Sequence, residues 1–448
     1  MRTIDVHQFL DERKVSRVHV VILATTMLLM FIDGFDVFML GRIAPAIARA
    51  YHEAPAAMAR VFVAQQTGLS IGAFFMSLAT DKFGRKRVMM VSCFMFGLLT
   101  LSALLTNSLT QLAFTRFLDG LFLGGIVLTS SALTIEISPK RWRATMLSLL
   151  YVGYSLGNAS GALVPLLVAK HGWQIGFWIG GLMPLLIGCL FVAVVPESPR
   201  YLVGRNPNDP RLARFLTRLD PGLDLSAQYA FIAGPEPKGD APRRAGPILL
   251  FADERWRMTA LLWMTTFISM GTIAVVGSWQ VTYFEQLGGI SMERFAAISP
   301  IMFAGTFLGT LTIGPLTDRY GATTVISLVS VGLAMGMAAT GYVPFGSVPF
   351  AIALFVQGYC TSGGQAAINA LIGQSYPTAV RGVGFGWAGT VGRISGIMTP
   401  WIASYALVAK LPLGTALALI AAPSLLIAVI MQVLARVRRR LGVEAGMG

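Results

Sequence analysis

The sequence predicts an all-α polytopic membrane protein with twelve transmembrane helices in two pseudo-symmetric halves of six. Three observations lead there. Of 448 residues, 55% are hydrophobic and 12% charged, against about 25% charged in an ordinary soluble domain, and the mean hydropathy is +0.67. The apolar residues fall into twelve runs of membrane-crossing length. Residues of the first half also recur in the second at an almost constant offset.

The runs lie near 18–48, 61–80, 87–106, 111–137, 143–169, 173–195, 258–284, 295–317, 322–342, 346–374, 379–409 and 412–435. The net charge of +14 raises the question of nucleic acid or anionic partners, but its placement marks topology instead. Of the 35 basic residues, 27 fall on the side carrying both termini, five on the other side and three within runs. The long 196–257 segment holds ten of those 27 and weighs little, yet 17 against five remain without it. The positive-inside rule therefore puts both termini in the cytoplasm. The expected surroundings are a lipid bilayer, with no nucleic-acid partner. The first run is span-length, carries two acids and lacks a small-residue cleavage site, so it is read as a retained span and not a signal peptide.

The first run, Val18 to Leu40, contains Asp33-Gly34-Phe35-Asp36. A charged side chain is expensive inside a bilayer and is retained chiefly where it works. Three residues apart on a helix, the two carboxyls share a face. Burial and mutual repulsion disfavour two simultaneous charges, so the pair is suited to loading and releasing a proton. The competing reading is that they bond neighbouring helices or cap a break at Gly34. Cys93, Cys189 and Cys360 all fall in apolar runs, which argues for packing and against disulfides or a metal site.

Nine prolines scattered among charges from Pro196 to Pro247 mark a cytoplasmic connector. The domains are therefore 1–195, an N-terminal six-helix half; 196–257, the connector; and 258–448, a C-terminal half with a short tail. Asp209 to Arg218 is suited to a surface helix, Gly234 to Gly246 to a flexible stretch, and no catalytic domain is expected there. The repeat is seen in Gly120 and Gly358, Gly125 and Gly363, Pro139 and Pro377, and Arg143 and Arg381, each pair 238 apart, with Asp81 and Asp318 separated by 237. Parallel repeats of this kind build carriers that alternate access to a site between halves near mid-membrane.

Leu78-Ala79-Thr80-Asp81-Lys82-Phe83-Gly84-Arg85-Lys86 resembles the signature loop of the major facilitator superfamily, and Gly314-Pro315-Leu316-Thr317-Asp318-Arg319-Tyr320-Gly321 resembles its second copy. Ser77 stands where the first copy usually has glycine, and Ala322-Thr323 replace the second copy's basic pair. Pro196-Glu197-Ser198-Pro199-Arg200 is similar to the motif after span six. Within that superfamily the tandem acids, followed by Gly41 and Pro45, resemble the aromatic acid:proton symporters. So does the tract Gly363-Gly364-Gln365, Asn369-Ala370-Leu371, Tyr376-Pro377-Thr378, Arg381-Gly382 and Gly392-Arg393-Ile394. The resemblance implies import of benzoate-like or hydroxybenzoate-like acids in bacteria, with Asp33 and Asp36 needed for transport. In span four, Arg116 to Gly120 and Gly124-Gly125 fit, but a usual Pro-Asn pair is absent, and Asp119 and Arg42 are unusual charges. These departures point to an atypical or larger aromatic carboxylate, of the lignin type.

The site expected on this reading has three parts. Asp33 and Asp36 carry the proton, with Glu136 at the cytoplasmic end of span four as a second-rank relay or as a partner of Arg141 or Arg143. Arg393, isolated in span eleven, is the candidate for gripping the carboxylate through paired charge-assisted hydrogen bonds, with an interhelical salt bridge as its alternative. Arg116, one turn from Asp119, is either a second anion group or half of a local pair. Trp279 and Trp387 lead the aromatic lining candidates, with Phe35, Phe38, Tyr154, Tyr283 and Tyr359 beside them, and Gln365 and Asn369 offer hydrogen bonds to substrate or, alternatively, between helices. Asp81, Gly84 and Arg85, with Asp318 and Arg319, are expected to latch the outward-open state, topology-setting being their plainer role.

An enzyme is not expected. Gly153-Tyr154-Ser155-Leu156-Gly157 matches a hydrolase pattern but sits mid-span, and none of the chain's four histidines lies deep in a run. No phosphate-loop lysine or H-E-x-x-H motif is present, so neither ATP nor a metal is implied, and no cofactor is expected. Proton-driven efflux, uptake of sugar or another solute, and an aromatic-acid sensor signalling through 196–257 are the competing functions. Span five lacks the Gly-Pro element of drug antiporters. A monomer is expected.

Overall fold

Helix occupies every one of the twelve apolar runs, because a backbone in lipid must satisfy its own hydrogen bonds. In the computed structural model, residues 2–206, 209–219, 229–232, 250–251 and 255–440 are described. The helices are α1 (Val6–Glu12), α2 (Arg17–Ala50), α3 (Ala59–Phe83), α4 (Arg85–Ser102), α5 (Leu109–Leu123), α6 (Ile126–Ile137), α7 (Arg143–Gly161), α8 (Val164–His171), α9 (Gln174–Val194), α10 (Pro199–Arg205), α11 (Pro210–Leu219), α12 (Trp256–Gln286), α13 (Met292–Ile298), α14 (Pro300–Tyr320), α15 (Ala322–Tyr342), α16 (Val348–Ser375), α17 (Thr378–Val408) and α18 (Leu413–Arg440). Among the described residues ten helical stretches are long and apolar enough to cross a membrane. α16 and α17, of 28 and 31 residues, have the length but carry more glycine and polar side chains.

Local chemistry sets the ends. Ser108, Ser198, Ser291 and Ser347 each accept the backbone N–H three residues on, capping α5, α10, α13 and α16. Gly84 (φ 96°) and Gly321 (φ 84°) make the sharp turns α3–α4 and α14–α15, a conformation open to glycine and strained for other residues. In span four α5 and α6 meet at Gly124-Gly125, which keep near-helical dihedrals and whose bare backbones press on Leu69 and Met76 of α3.

One small sheet departs from the all-helical expectation. β1 (Arg2–Asp5) pairs in parallel with β2 (Tyr229–Ile232), Ile4 opposite Phe231. The expected surface helix at 209–218 is α11, whose Leu212, Phe215 and Leu216 are buried while Arg211, Arg214 and Thr217 point outward. The expected flexible stretch 234–246 lies outside the described residues.

The described residues group into two units. The first takes in Met1–Met39, Ala64–Gly161 and Trp173–Lys238; the second Leu40–Val63, Ala162–Gly172 and Gly239–Gly448. In the first unit Val6, Leu10, Ile22, Leu29, Phe96, Leu123, Phe191, Phe215 and Phe231 share one core, so residues of the connector are packed into it. In the second, α12, α15, α16 and α18 enclose Leu262, Ile326, Leu371, Tyr376 and Met431. There the C-terminal part of α2 lies against α12, with Gly41 facing the Gly277 backbone and Arg49 paired with Glu285.

Candidate functional site

In the first unit α2 runs unbroken through Gly34. That glycine is needed for contact, since a Cβ there would strike the Tyr154 carbonyl of α7; Gly157 presses likewise on Phe31. The tight α2–α7 contact fixes the helix that carries both acids. Asp33 and Asp36 are 3% and 0% exposed. Asp36 receives Arg116 Nη1 from α5 at 3.0 Å on Oδ1 and 3.3 Å on Oδ2, and Gln65 Nε2 from α3 at 3.0 Å on Oδ2. The same Arg116 nitrogen lies 3.0 Å from Asp119 Oδ2, and Thr100 Oγ1 of α4 donates to Asp119 Oδ1 at 3.1 Å. Phe177 of α9 covers the guanidinium, 5.1 Å from ring centre to Cζ.

This network is closed to water: Arg116, Asp119 and Asp36 are all fully buried. Buried charges must be paired, and here one guanidinium serves two carboxyls. Arg116 Nε and Nη2, and Asp119 Oδ2, make no hydrogen bond among the described residues. Asp33 has neither a hydrogen bond nor an ion pair among them. The two tandem acids are therefore unlike. Asp36 faces N–H donors on both oxygens, whereas Asp33 sits buried with no cation beside it among the described residues.

At the end of the same unit that carries residue 2, the Gly84 turn is locked in place. Arg85 pairs with Glu136 at 2.7 Å and with Asp81 at 3.6 Å. Glu136 also receives the Ser198 hydroxyl. Glu197 Oε1 accepts the backbone N–H groups of Lys86 (3.0 Å) and Ser198 (2.9 Å). Glu136 thus meets Arg85; Arg143 instead pairs with Asp11.

The second unit is differently furnished. Asp318, at the repeated turn, is exposed and takes no ion pair among the described residues, and Arg319 rests on the Tyr320 ring at 5.3 Å. Along α17, Gly382, Gly386, Gly389 and Arg393 form one helical stripe, and the space beside all three glycines is empty. Arg393 is exposed and has no hydrogen-bond, ion-pair or aromatic partner among the described residues. The helix buries a different face, Ala388 and Ser395, with Gly392 against Met270 of α12. Behind it Ser269 donates to Gln365 (2.8 Å), which donates to Asn369 (3.1 Å). Trp387 is 38% exposed and stacks on Trp263 at 6.0 Å.

Two aromatic candidates are committed elsewhere. Trp279 is fully buried, donates Nε1 to the Pro400 carbonyl at 3.1 Å, and packs on Phe62 and Tyr283. Phe35 is 3% exposed inside the first unit. Tyr359 shares a 2.7 Å hydrogen bond with Thr312. The structure adds Gln65, Thr100, Phe177 and Trp263, and gives a contact role to Glu197 of the Pro196–Arg200 motif. Gln65 is visible as a rare amide in an apolar run, but Thr100, Phe177 and Trp263 look like ordinary span residues until the helices are assembled.

A polytopic helical chain with a duplicated glycine turn and buried acids in its first span is, by class, a membrane transporter. The chain belongs to the Major Facilitator Superfamily, whose family profile matches residues 26–296 and again 261–445. It is 30% identical to a gallate transporter of Pseudomonas putida over 88% of this chain and 87% of that one. It is likewise 30% identical to the 4-hydroxybenzoate transporter PcaK of Acinetobacter baylyi, covering 89% and 87%. Among solved structures, the nucleoside transporter NupG superposes with a TM-score of 0.71 at 13% identity, over 94% of this chain and 100% of that one, which speaks to fold alone.

Proposed function

We propose that the protein imports an aromatic carboxylate together with protons, by alternating access, across a bacterial inner membrane with both termini in the cytoplasm, as a monomer. The observation that carries this reading is Asp33: a carboxyl 3% exposed, in a span, with no cation and no hydrogen bond among the described residues, beside a second acid that is ion-paired. An unpaired buried carboxyl is tolerable only when protonated. Asp33 is then the group that loads a proton from outside and gives it up inside, while Asp36 holds Arg116.

The substrate class rests on the relatives, which are named as carriers of gallate and of 4-hydroxybenzoate. Such acids are anions at neutral pH, and an inside-negative potential opposes their entry by about 2.3 kcal/mol per charge per 100 mV. Proton coupling removes that opposition. Arg393 suits the anion: it stands on an open glycine stripe, has no acid to neutralise it among the described residues, and its helix packs beside the Ser269–Gln365–Asn369 chain. The Arg85–Glu136 and Glu197 contacts serve as the latch that one conformation makes and the other breaks. The orientation follows from 27 basic residues on the terminus side against five opposite.

The test is uptake of a labelled panel, gallate, 4-hydroxybenzoate and benzoate among them, into proteoliposomes with and without an inward proton gradient. Gradient-dependent accumulation of one acid is expected, abolished in Asp33→Asn. Normal gradient-driven accumulation by that variant would refute the proton role of Asp33, and uptake of none of the acids by folded wild type would remove the substrate class.

A further inference from the structure

We infer that Asp119 is a second proton-carrying carboxyl, so that each cycle moves two protons with one aromatic anion and is electrogenic. The inference rests on the symport reading above and adds its stoichiometry. It starts from a count of charge. Asp33, Asp36 and Asp119 are at most 3% exposed, and Arg116 is the one cation in contact with any of them among the described residues. Three carboxylates against one guanidinium would leave two uncompensated negative charges in a buried site, a strongly unfavourable state. Two protons neutralise the cluster. Asp33 takes one.

Hydrogen-bond chemistry decides where the second goes. Both oxygens of Asp36 face groups that can only donate: the Gln65 amide nitrogen at 3.0 Å and Arg116 Nη1 at 3.0 and 3.3 Å. A proton on Asp36 would collide with one of those donors, so it stays a carboxylate. Asp119 faces a hydroxyl, Thr100 Oγ1, at 3.1 Å, which donates to an anion and can rotate to accept from an acid. Its Oδ2 is fully buried and lies 3.0 Å from Arg116 Nη1, whereas its Oδ1 faces that hydroxyl and is the place for a proton. The charged groups facing Asp119 are Arg116 from its own helix and Asp33 and Asp36 from α2; the α4 neighbour, Thr100, is neutral.

Cycling follows from the shared nitrogen. With Asp119 protonated, Arg116 belongs to Asp36 alone; when Asp119 releases its proton, the two carboxylates compete for Nη1. Loading and unloading of the second proton thus changes how tightly α5 is tied to α2, the helix carrying Asp33. No bond other than O–H is made or broken: two protons and one carboxylate enter, and the net movement is one positive charge inward.

The experiment uses full-length protein in proteoliposomes and whichever of 4-hydroxybenzoate and gallate the wild type accumulates. A potassium gradient with valinomycin sets an inside-negative potential of about 100 mV at equal pH, and a pH step at zero potential supplies the other force. One net charge per cycle gives accumulation approaching about 50-fold from the potential alone. Asp119→Asn and the smaller Asp119→Thr should lose potential-driven accumulation and keep that driven by pH. Wild-type accumulation that ignores the potential would mean one proton per anion, overturning the inference while leaving symport intact. Potential-driven uptake retained in both variants, or loss of both forces in both, would remove Asp119 from the role. No uptake by wild type under either force would withdraw the symport reading itself, and this inference with it.

Discussion

The two units treat their charges in opposite ways. In the first, Arg116 is buried beneath Phe177 and shared between Asp36 and Asp119, and the Gly84 turn is bound through Arg85, Glu136 and Glu197. In the second, Arg393 stands unpartnered on an open stripe, and Asp318 beside the matching Gly321 turn takes no ion pair among the described residues. The repeat preserved the backbone device and not its chemistry. A charge that is paired and sealed can respond to protonation or to a change of conformation, because altering it breaks something. An unpaired charge on an open face is disposed to meet a ligand.

Three substitutions press on this contrast, in falling order of effect. Arg116→Gln removes the cation shared by two buried acids, and breaking a buried pair costs about 3–5 kcal/mol. Thermal unfolding in detergent should show a large loss of stability; an unchanged unfolding temperature would mean the acids are already neutral and the pairing is incidental. Arg393→Gln should leave unfolding untouched and weaken substrate binding about 10- to 100-fold, the worth of hydrogen bonds to a charged group at about 1.5–3 kcal/mol. Equilibrium binding of the transported acid decides, and unaltered affinity would take Arg393 out of the site. Gly84→Ala and Gly321→Ala both place a side chain at positive φ, costing about 1–3 kcal/mol each. Only at Gly84 would the new methyl also press on Glu197 and Tyr201; beside Gly321 the space is empty. The first should therefore be the more destabilised in the same assay, and equal losses would show that the Glu197 contact contributes little.

The spans were legible because bilayer thickness writes itself into the length of an apolar run, and the two loops because their glycines and acids recur at fixed spacing. Asp33, Asp36 and Arg393 stood out for the same reason, as charges where charge is costly. Partner choice was not legible. Glu136 lies five and seven residues before Arg141 and Arg143 yet meets Arg85, because which side chains face each other depends on how α4 and α6 are set side by side. Asp119 was visible as an odd charge and as a neighbour of Arg116, but its contact with Thr100 joins two helices. Trp279 looked like lining because an indole in a span suits an aromatic guest; the Pro400 carbonyl and Phe62 had already engaged it.

The pairing of Arg2–Asp5 with Tyr229–Ile232 has a bearing on how the chain is made. The ribosome delivers the second strand after all the helices from α1 to α11, so the first waits without its partner while the early spans enter the membrane. When Tyr229–Ile232 arrives, the parallel ladder closes a ring of more than two hundred residues, and Phe231 joins Val6 and Leu10 in one core. An affinity tag fused directly ahead of Arg2 would burden that late step.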